Sequence, residues 1–204
     1  MLEKKLSEGL QALPLNLPSK TQHQLLDYLS LLKKWNQVYN LTAIRDFEQM
    51  ITYHLLDSLT VFPYLQGIHL LDVGTGGGLP GLVLAIANPQ QHWTLLDKSA
   101  KKIRFVKQAV TELHLTNVEP VCVNIELFKP VTLFDTIISR AYTRLSHFHQ
   151  QTAQFCSPSG RLLAMKGSYP TEELLEIQEL SITIQCLPLQ VPQLQAQRHL
   201  VILQ

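Results

Sequence analysis

A glycine-rich loop constrains the fold of this chain more than any other part of its sequence. Residues 71–81 read Leu-Asp-Val-Gly-Thr-Gly-Gly-Gly-Leu-Pro-Gly, which places five glycines within eight positions. A short apolar run before the loop predicts a strand over residues 68–72, and the segment after it predicts a helix from about residue 80. Glycine suits such a turn because it permits positive φ and lets a ligand approach the backbone. The pattern predicts a ligand-binding loop at the carboxyl end of the first strand.

The sequence around this loop predicts an α/β fold. Short apolar runs predict seven strands, at residues 68–72, 92–97, 120–123, 134–139, 161–166, 182–187 and 199–203. Helix-length segments separate the first five strands, most clearly residues 99–115, and another helix is predicted over 171–180. Because parallel strands need such crossovers, the sheet is expected to be parallel and doubly wound. About a dozen residues with two prolines join the last two strands, which are therefore expected to pair antiparallel.

Before residue 65 the apolar periodicity is helical. One stripe follows a predicted helix start near Pro18 and should end near Asn40; it comprises Leu25, Leu29, Leu32 and Trp35. A second stripe, formed by Ile51, Leu55 and Leu59, follows a capping sequence at Asp46. We therefore expect an N-terminal helical extension over residues 1–64, packed as one globular unit with an α/β domain over residues 65–204.

Composition excludes several other classes of protein. With 46% hydrophobic and 16% charged residues, the chain is too apolar to be intrinsically disordered. Its longest apolar stretch, residues 79–87, is far shorter than the roughly 20 residues of a membrane span. The first residues lack the apolar core of a secretion signal, so we expect a cytoplasmic protein with no membrane partner. We also expect a monomer. The cysteines, Cys122, Cys156 and Cys186, lack metal-site spacing, and we expect buried thiols and no metal.

Positive charge is balanced overall but concentrated locally. The net charge is only +1, so the overall field does not indicate a nucleic-acid partner. Within residues 98–107, however, five basic residues occur without one acid: Lys98, Lys101, Lys102, Arg104 and Lys107. Lys33 and Lys34 form a second patch. Such clusters are often solvated helix faces, and they indicate a polyanionic substrate only if a reaction site lies beside them.

Two cofactors fit the glycine loop, and the first is NAD. The spacing Gly76-x-Gly78-x-x-Gly81 matches the dinucleotide fingerprint. Asp97 ends the second predicted strand, where an acid would bind the hydroxyl groups of a ribose. A NAD-dependent oxidoreductase therefore remains an alternative, as does a noncatalytic RNA-binding module that retains the loop.

The second cofactor is S-adenosylmethionine (SAM), and it accounts for one more residue. The spacing Asp72-x-Gly74-x-Gly76-x-Gly78 is that of the acidic loop in class I SAM-dependent methyltransferases, and Asp97 serves here as well. A carboxylate on the first strand suits the ammonium and sulfonium groups of SAM and suits a pyrophosphate poorly. We therefore favour SAM as the cofactor.

Further segments along nearly the whole chain are shared with one known family. They are Lys34-Trp35-Asn36, Tyr39-Asn40-Leu41-Thr42, residues 54–59, the glycine loop, Leu95-Leu96-Asp97, Ser139-Arg140-Ala141, Lys166-Gly167 and Arg198-His199-Leu200. On these segments the chain resembles the RsmG (GidB) family, bacterial methyltransferases that modify guanine N7 in 16S ribosomal RNA. The resemblance implies the class I SAM-dependent methyltransferase (Rossmann-like) fold. It also implies that SAM contacts Gly74, Leu79, Ile125, Glu126 and Arg140.

The chemistry of guanine N7 shapes what the site should contain. N7 carries a free lone pair at neutral pH, so its methylation removes no proton and needs neither a general base nor a nucleophilic side chain. Catalysis then rests on positioning, for which Arg140, Lys166 and Arg198 are the candidates. Arg140, which ends the fourth predicted strand, could pair with the SAM carboxylate, an RNA phosphate or a core acid.

The expected partner is 16S ribosomal RNA or the small ribosomal subunit. A nearly neutral protein that acts on a polyanion must concentrate its positive charge near the site. The residues predicted to contact RNA are Lys33, Lys34, Asn36, Lys98, Lys101, Lys102, Arg104, Lys166 and Arg198.

Overall fold

Seven strands form one mixed sheet in the computed structural model, which describes residues 1–204. They are β1 (His69–Val73), β2 (His92–Asp97), β3 (Val118–Cys122), β4 (Phe134–Arg140), β5 (Cys156–Lys166), β6 (Ile184–Pro188) and β7 (His199–Leu203). Their order across the sheet is β3-β2-β1-β4-β5-β7-β6. Strand β7 alone runs opposite to the other six. The predicted parallel sheet with an antiparallel last strand is confirmed.

Helices cover both faces of this sheet. They are α1 (Leu2–Gln11), α2 (Ser19–Tyr39), α3 (Phe47–Met50), α4 (Asp57–Leu59), α5 (Gly81–Ala87), α6 (Ala100–Glu112), α7 (Leu145–Thr152) and α8 (Thr171–Ile177). A π-helical segment, Ile51–Leu56, joins α3 to α4, and short 3₁₀ turns occupy Phe62–Tyr64, Ile125–Leu127 and Ala153–Phe155. None of the helices combines the length and the apolarity that a membrane crossing demands.

Two hydrophobic clusters lie on opposite faces of the sheet. The larger has 35 buried residues and joins Leu6 and Leu25 of the N-terminal helices to Val83 of α5 and Leu163 of β5. The smaller has 14 and lies under α7 and α8. Because α1 and α2 share the larger cluster with the sheet, the N-terminal helices are part of the main core.

The boundaries of some elements differ from their predictions. The third strand begins at Val118, two residues before the predicted start at Pro120. Since β3 is an edge strand, the missing N–H of Pro120 need not pair, and the proline sits inside the strand. Helix α8 ends at Ile177, three residues before the predicted end.

The cysteines also differ from their prediction. Cys122 is exposed at the end of the edge strand, Cys156 and Cys186 are half-buried, and all three are free. The expectation of buried thiols is therefore wrong for Cys122. Burial, with the nearby Asp135 charge, raises the pKa of the Cys156 thiol to about 11, and burial also raises the pKa of Cys186. Neither of these two thiols is activated as a nucleophile.

The topology brings the carboxyl ends of six strands to one edge of the sheet. Strands β1 to β6 all end there, and antiparallel β7 begins there, with His199 paired to Lys166 at the end of β5 and to Pro188 at the end of β6. Strand β1 lies between β2 and β4, so its two neighbours are reached by connections that diverge in opposite directions. This switch point is where open α/β sheets bind their ligands.

Candidate active site

The glycine loop lies at the switch point, between β1 and α5. Gly74, Gly76 and Gly78 have φ values of 73°, 58° and 87°, a backbone region that glycine adopts without strain. The amides of Gly74 and Thr75 donate to the carbonyl of Leu96 at 2.8 and 3.0 Å, which ties the loop to β2. These hydrogen bonds fix the loop beside the end of β2, where its backbone forms a cradle.

The buried side chain of Asp72 forms hydrogen bonds that hold the glycine loop in place. Its side chain is fully buried, and its Oδ2 accepts hydrogen bonds from Thr75 Oγ1 at 2.7 Å and from the Gly81 amide at 2.9 Å. Its other oxygen, Oδ1, has no hydrogen-bond partner. Burial raises the pKa of this carboxyl to about 6. The negative charge buried beneath the cradle favours a cationic ligand group, as in SAM, over a pyrophosphate.

Asp97 lies at the opening of the same loop. Its Oδ2 accepts from the Gly76 amide at 3.0 Å, and its Oδ1 accepts from the Ser99 amide at 2.8 Å, just before α6. Lys102 Nζ lies 3.6 Å from Oδ2. Each carboxylate oxygen can accept a further hydrogen bond, so Asp97 can both fix the loop and bind the hydroxyl groups of a ribose.

The remaining cofactor candidates surround this cradle. Ile125 is buried and Glu126 is exposed in the 3₁₀ turn after β3, while Leu79 is almost wholly buried in the loop. Tyr142 was not predicted from the sequence, yet its ring packs so close to Gly74 that a Cβ there would lie 2.5 Å from it. The Tyr142 hydroxyl donates to Gln151 Oε1 at 2.9 Å, and burial together with the charges of Glu126 and Asp97 raises its pKa. Its place two residues after the end of β4 was the one signal in the sequence.

Arg140 and Arg198 share a single buried acid. Asp57, which begins α4, is 2% exposed. Its Oδ2 lies 3.0 Å from Arg140 Nη1, and its Oδ1 lies 2.9 Å from Arg198 Nε. Of the alternatives for Arg140, the core acid is thus the partner observed, and one positive charge remains in excess. Asp57 was not predicted as a site residue, although an acid within an apolar helical stripe was a signal in the sequence.

Lys166 is held more tightly than a surface lysine. At the end of β5, its Nζ donates to the Thr143 carbonyl at 3.0 Å and to Glu173 Oε2 at 2.7 Å. The same Glu173 oxygen accepts from the Leu145 amide at 2.7 Å. Lys166 therefore lies at the edge of the site with its charge already paired.

The predicted RNA-contacting residues fall into two groups. Four basic residues of the α6 region are exposed and pair with no acid; this basic face comprises Lys98, Lys101, Arg104 and Lys107. Lys102 instead pairs with Asp97. On α2, Lys34 is exposed and Lys33 lies over the Phe47 ring, with Nζ 5.3 Å from its centroid.

Asn36 behaves differently from the lysines beside it. It is 5% exposed, and its Oδ1 accepts from the Thr42 amide at 2.9 Å. Thr42 Oγ1 in turn lies 2.9 Å from His54 Nε2. Asn36 therefore organises the segment after α2 from inside the protein, and we leave it out of the proposed RNA surface because a buried amide cannot reach a phosphate.

Sequence comparison places the chain among known proteins of one family. A sequence model of the GidB family, described as rRNA small subunit methyltransferase G, matches residues 21–201. A protein named ribosomal RNA small subunit methyltransferase G from Nitrosococcus oceani is 48% identical over 196 residues, which cover 96% of this chain and 92% of that protein. A protein of the same name from Laribacter hongkongensis is 46% identical over 200 residues, which cover 98% and 97%.

A solved structure shares the fold at low sequence identity. The plantazolicin methyltransferase BpumL, in complex with SAH, has a TM-score of 0.62 and 11% identity, and the match covers 89% of this chain and 96% of that chain. This likeness shows a methyltransferase fold, and the sequence comparisons are more specific. The chain therefore belongs to the GidB family, rRNA small subunit methyltransferase G.

Proposed function

We propose that this chain is a SAM-dependent methyltransferase that methylates N7 of a guanine in 16S ribosomal RNA. One observation carries the proposal: the glycine loop is held between two acids, Asp72 below it and Asp97 at its opening, in a chain of the GidB family. The relatives at 48% and 46% identity bear the name of a ribosomal RNA small subunit methyltransferase. Ribosomal RNA, free or in the small subunit, is accordingly the proposed substrate.

The cofactor would lie along the loop and across the end of β4. We assign the ribose to Asp97 and the side of the adenine to Ile125 and Glu126. The methionine end would then pass the Gly74 backbone towards Arg140, and the buried charge of Asp72 would attract its cationic groups without direct contact. When bound, SAM supplies an electrophilic methyl group on its sulfonium.

The residues of this chain have no proton to remove from guanine N7. His54 is neutral at pH 7, because burial and the Arg140 charge lower the pKa of its imidazole to about 4. Asp72 faces the loop from a fully buried position. The task left to the side chains is to hold N7 in line with the methyl carbon, an effect worth up to roughly 7–11 kcal/mol. Arg140, Lys166 and Arg198 are suited to it because each is fixed by a defined partner.

RNA would bind across the basic face of α6 and the lysines of α2. The basic face begins directly after Asp97, so phosphates bound there lie next to the cofactor loop. Phosphate contacts give affinity and register, while the base is recognised by its edge. The buried hydrogen bond from Tyr28 Oη on α2 to the Gly77 carbonyl, 2.6 Å long, ties α2 to the same loop.

The test is methyl transfer with a defined product. Purified protein is incubated with methyl-labelled SAM and either 16S ribosomal RNA or isolated small subunits that lack the modification, and the RNA is digested to nucleosides. The expected labelled product is 7-methylguanosine, with the label strongly reduced for Asp97→Ala. Label in another nucleoside, or none with either substrate, would contradict the proposal.

A further inference from the structure

A cavity lies near the cofactor loop. It has a volume of about 430 Å³ and opens at the ends of β4 and β5 and the start of β7. Arg140 and Ala141 form one wall, and the next residue, Tyr142, packs on Gly74. The cavity is thus separated from the glycine loop by a few residues of chain, and its volume lies within the usual range for small-ligand sites.

We propose that this cavity holds the target base and that Arg198, positioned by Asp57, recognises O6 of guanine. This inference rests on the proposed function and adds to it the basis for choosing guanine over adenine. Ile44, Met165 and Leu189 supply apolar walls for the faces of a base.

The cationic side chains of the cavity, Arg140, Lys166 and Arg198, can only donate hydrogen bonds, whereas its tyrosine and histidines can donate or accept. Asp57 is the one acid in its lining, and both of its oxygens are already paired with guanidinium groups. Arg198 uses Nε on Asp57 and Nη1 on the Gln197 carbonyl at 2.8 Å, which leaves Nη2 without a protein partner. Arg140 uses Nη1 on both Asp57 and the Tyr53 carbonyl. Unused N–H groups of two fixed guanidinium groups therefore remain for a ligand.

A donor-rich cavity distinguishes the two purines by the group next to N7. Guanine carries the acceptor O6 beside N7, whereas adenine carries an amino group there, which is itself a donor. If N7 points to the methyl carbon of SAM, the substituent on the neighbouring C6 faces the Arg198 guanidinium. An N–H of Arg198 would bind O6 and would oppose the amino group of adenine. Asp57 is the positioning residue, because it fixes Arg198 without offering a free acceptor to that amino group.

The discriminating experiment changes one atom group of the substrate. We compare RNA fragments carrying either guanine or 2,6-diaminopurine at the methylated position, since diaminopurine keeps N7 and replaces O6 by an amino group. The wild-type protein should favour guanine in kcat/KM. In Arg198→Met this preference should fall by roughly tenfold to a hundredfold, the range expected for one specific base contact. Asp57→Asn should also lower the preference for guanine, and Asp57→Glu should show more of that preference than Asp57→Asn does.

Lys107→Met on the basic face is the matched control. It also removes one positive charge, but it should weaken methylation of both RNAs equally and leave the preference unchanged. Equal losses with both RNAs in Arg198→Met would assign Arg198 to a phosphate and overturn the proposal. A wild-type protein that methylates both RNAs equally would overturn it too. Failure of the wild-type protein on guanine itself would instead contradict the proposed function.

A second variant tests whether the cavity is occupied at all. Gly167 lines the cavity, and a Cβ built on it meets no atom within 4 Å, so the backbone there leaves room for the first atom of a side chain such as that of Gly167→Leu. This variant should bind SAM normally and lose methyl transfer. The neighbouring exposed Ser168 does not line the cavity, and Ser168→Leu should transfer methyl groups at the wild-type rate. Wild-type transfer by Gly167→Leu would show that the base binds elsewhere.

Discussion

Burial of Asp72 makes a quantitative prediction about the pH dependence of stability. Burial raises the pKa of its carboxyl from the ordinary 3.8 to about 6 in the folded protein. Between pH 3.8 and 6, therefore, the Asp72 carboxyl holds a proton in the folded state that it releases in the unfolded state. The stabilisation from that proton is complete below pH 3.8 and is lost as the pH rises through 6. A shift of about two units corresponds to about 3 kcal/mol, of which about 2 kcal/mol falls between pH 4.5 and 7.5.

The perturbation is Asp72→Asn. An asparagine oxygen can still accept from Thr75 and Gly81, but the side chain no longer titrates. We expect the free energy of unfolding of the variant, minus that of the wild type, to rise by about 2 kcal/mol from pH 4.5 to 7.5. Urea unfolding followed by circular dichroism at several pH values measures this difference.

The difference between the two proteins isolates Asp72. The pKa of His54 is lowered to about 4, so its titration makes the protein less stable as the pH falls, opposite in sign to Asp72. Because His54 titrates in both proteins, its contribution cancels in the subtraction. A difference that stays constant across the pH range would refute the account of Asp72 as a buried group with a raised pKa.

Three further predictions concern the site. Asp97→Ala should weaken SAM binding by roughly tenfold to a hundredfold, because it loses a charged hydrogen bond worth about 1.5–3 kcal/mol. NAD should bind neither the wild type nor the variant, and calorimetry measures the binding of both cofactors. Replacing all three cysteines by alanine should leave the rate of methyl transfer unchanged, and a covalent adduct between RNA and any cysteine would contradict this. Replacing Lys101 and Arg104 together by alanine should reduce the log-log salt slope of single-stranded RNA binding by about 1.4 if both touch phosphate, with SAM affinity unaltered. Lys102 is avoided in that variant because it pairs with Asp97, and an unchanged slope would identify the basic face as merely solvated.

Local sequence signals were sufficient to predict the sheet of this protein and the position of its glycine loop. Alternating apolar runs and helix-length segments predicted the sheet, and the glycine spacing placed the loop at the end of β1. Asp97 could be placed beside that loop because the ends of neighbouring parallel strands meet at one edge. These features depend on residues close in sequence or on a general rule of topology.

The pairing of charged residues in the site could not be predicted in this way. Asp57 binds Arg140 and Arg198 across 83 and 141 positions of sequence, and no local pattern encodes which arginine meets which acid. Asn36 lies next to Lys34 and Trp35 in a motif, yet it faces inwards, because the turn after α2 needs an acceptor for the Thr42 amide. Such roles emerge only when the N-terminal helices pack against the sheet.

Methylation of guanine N7 in 16S ribosomal RNA can be tested most directly in cells. Borohydride followed by aniline cleaves RNA at 7-methylguanosine, so the position of the modified guanine can be mapped on the RNA itself. We expect a cut at one guanine in wild-type cells, no cut there in cells that lack this protein, and restoration by the wild-type protein but not by Asp97→Ala. An unchanged cut in the cells that lack the protein would contradict the proposed function.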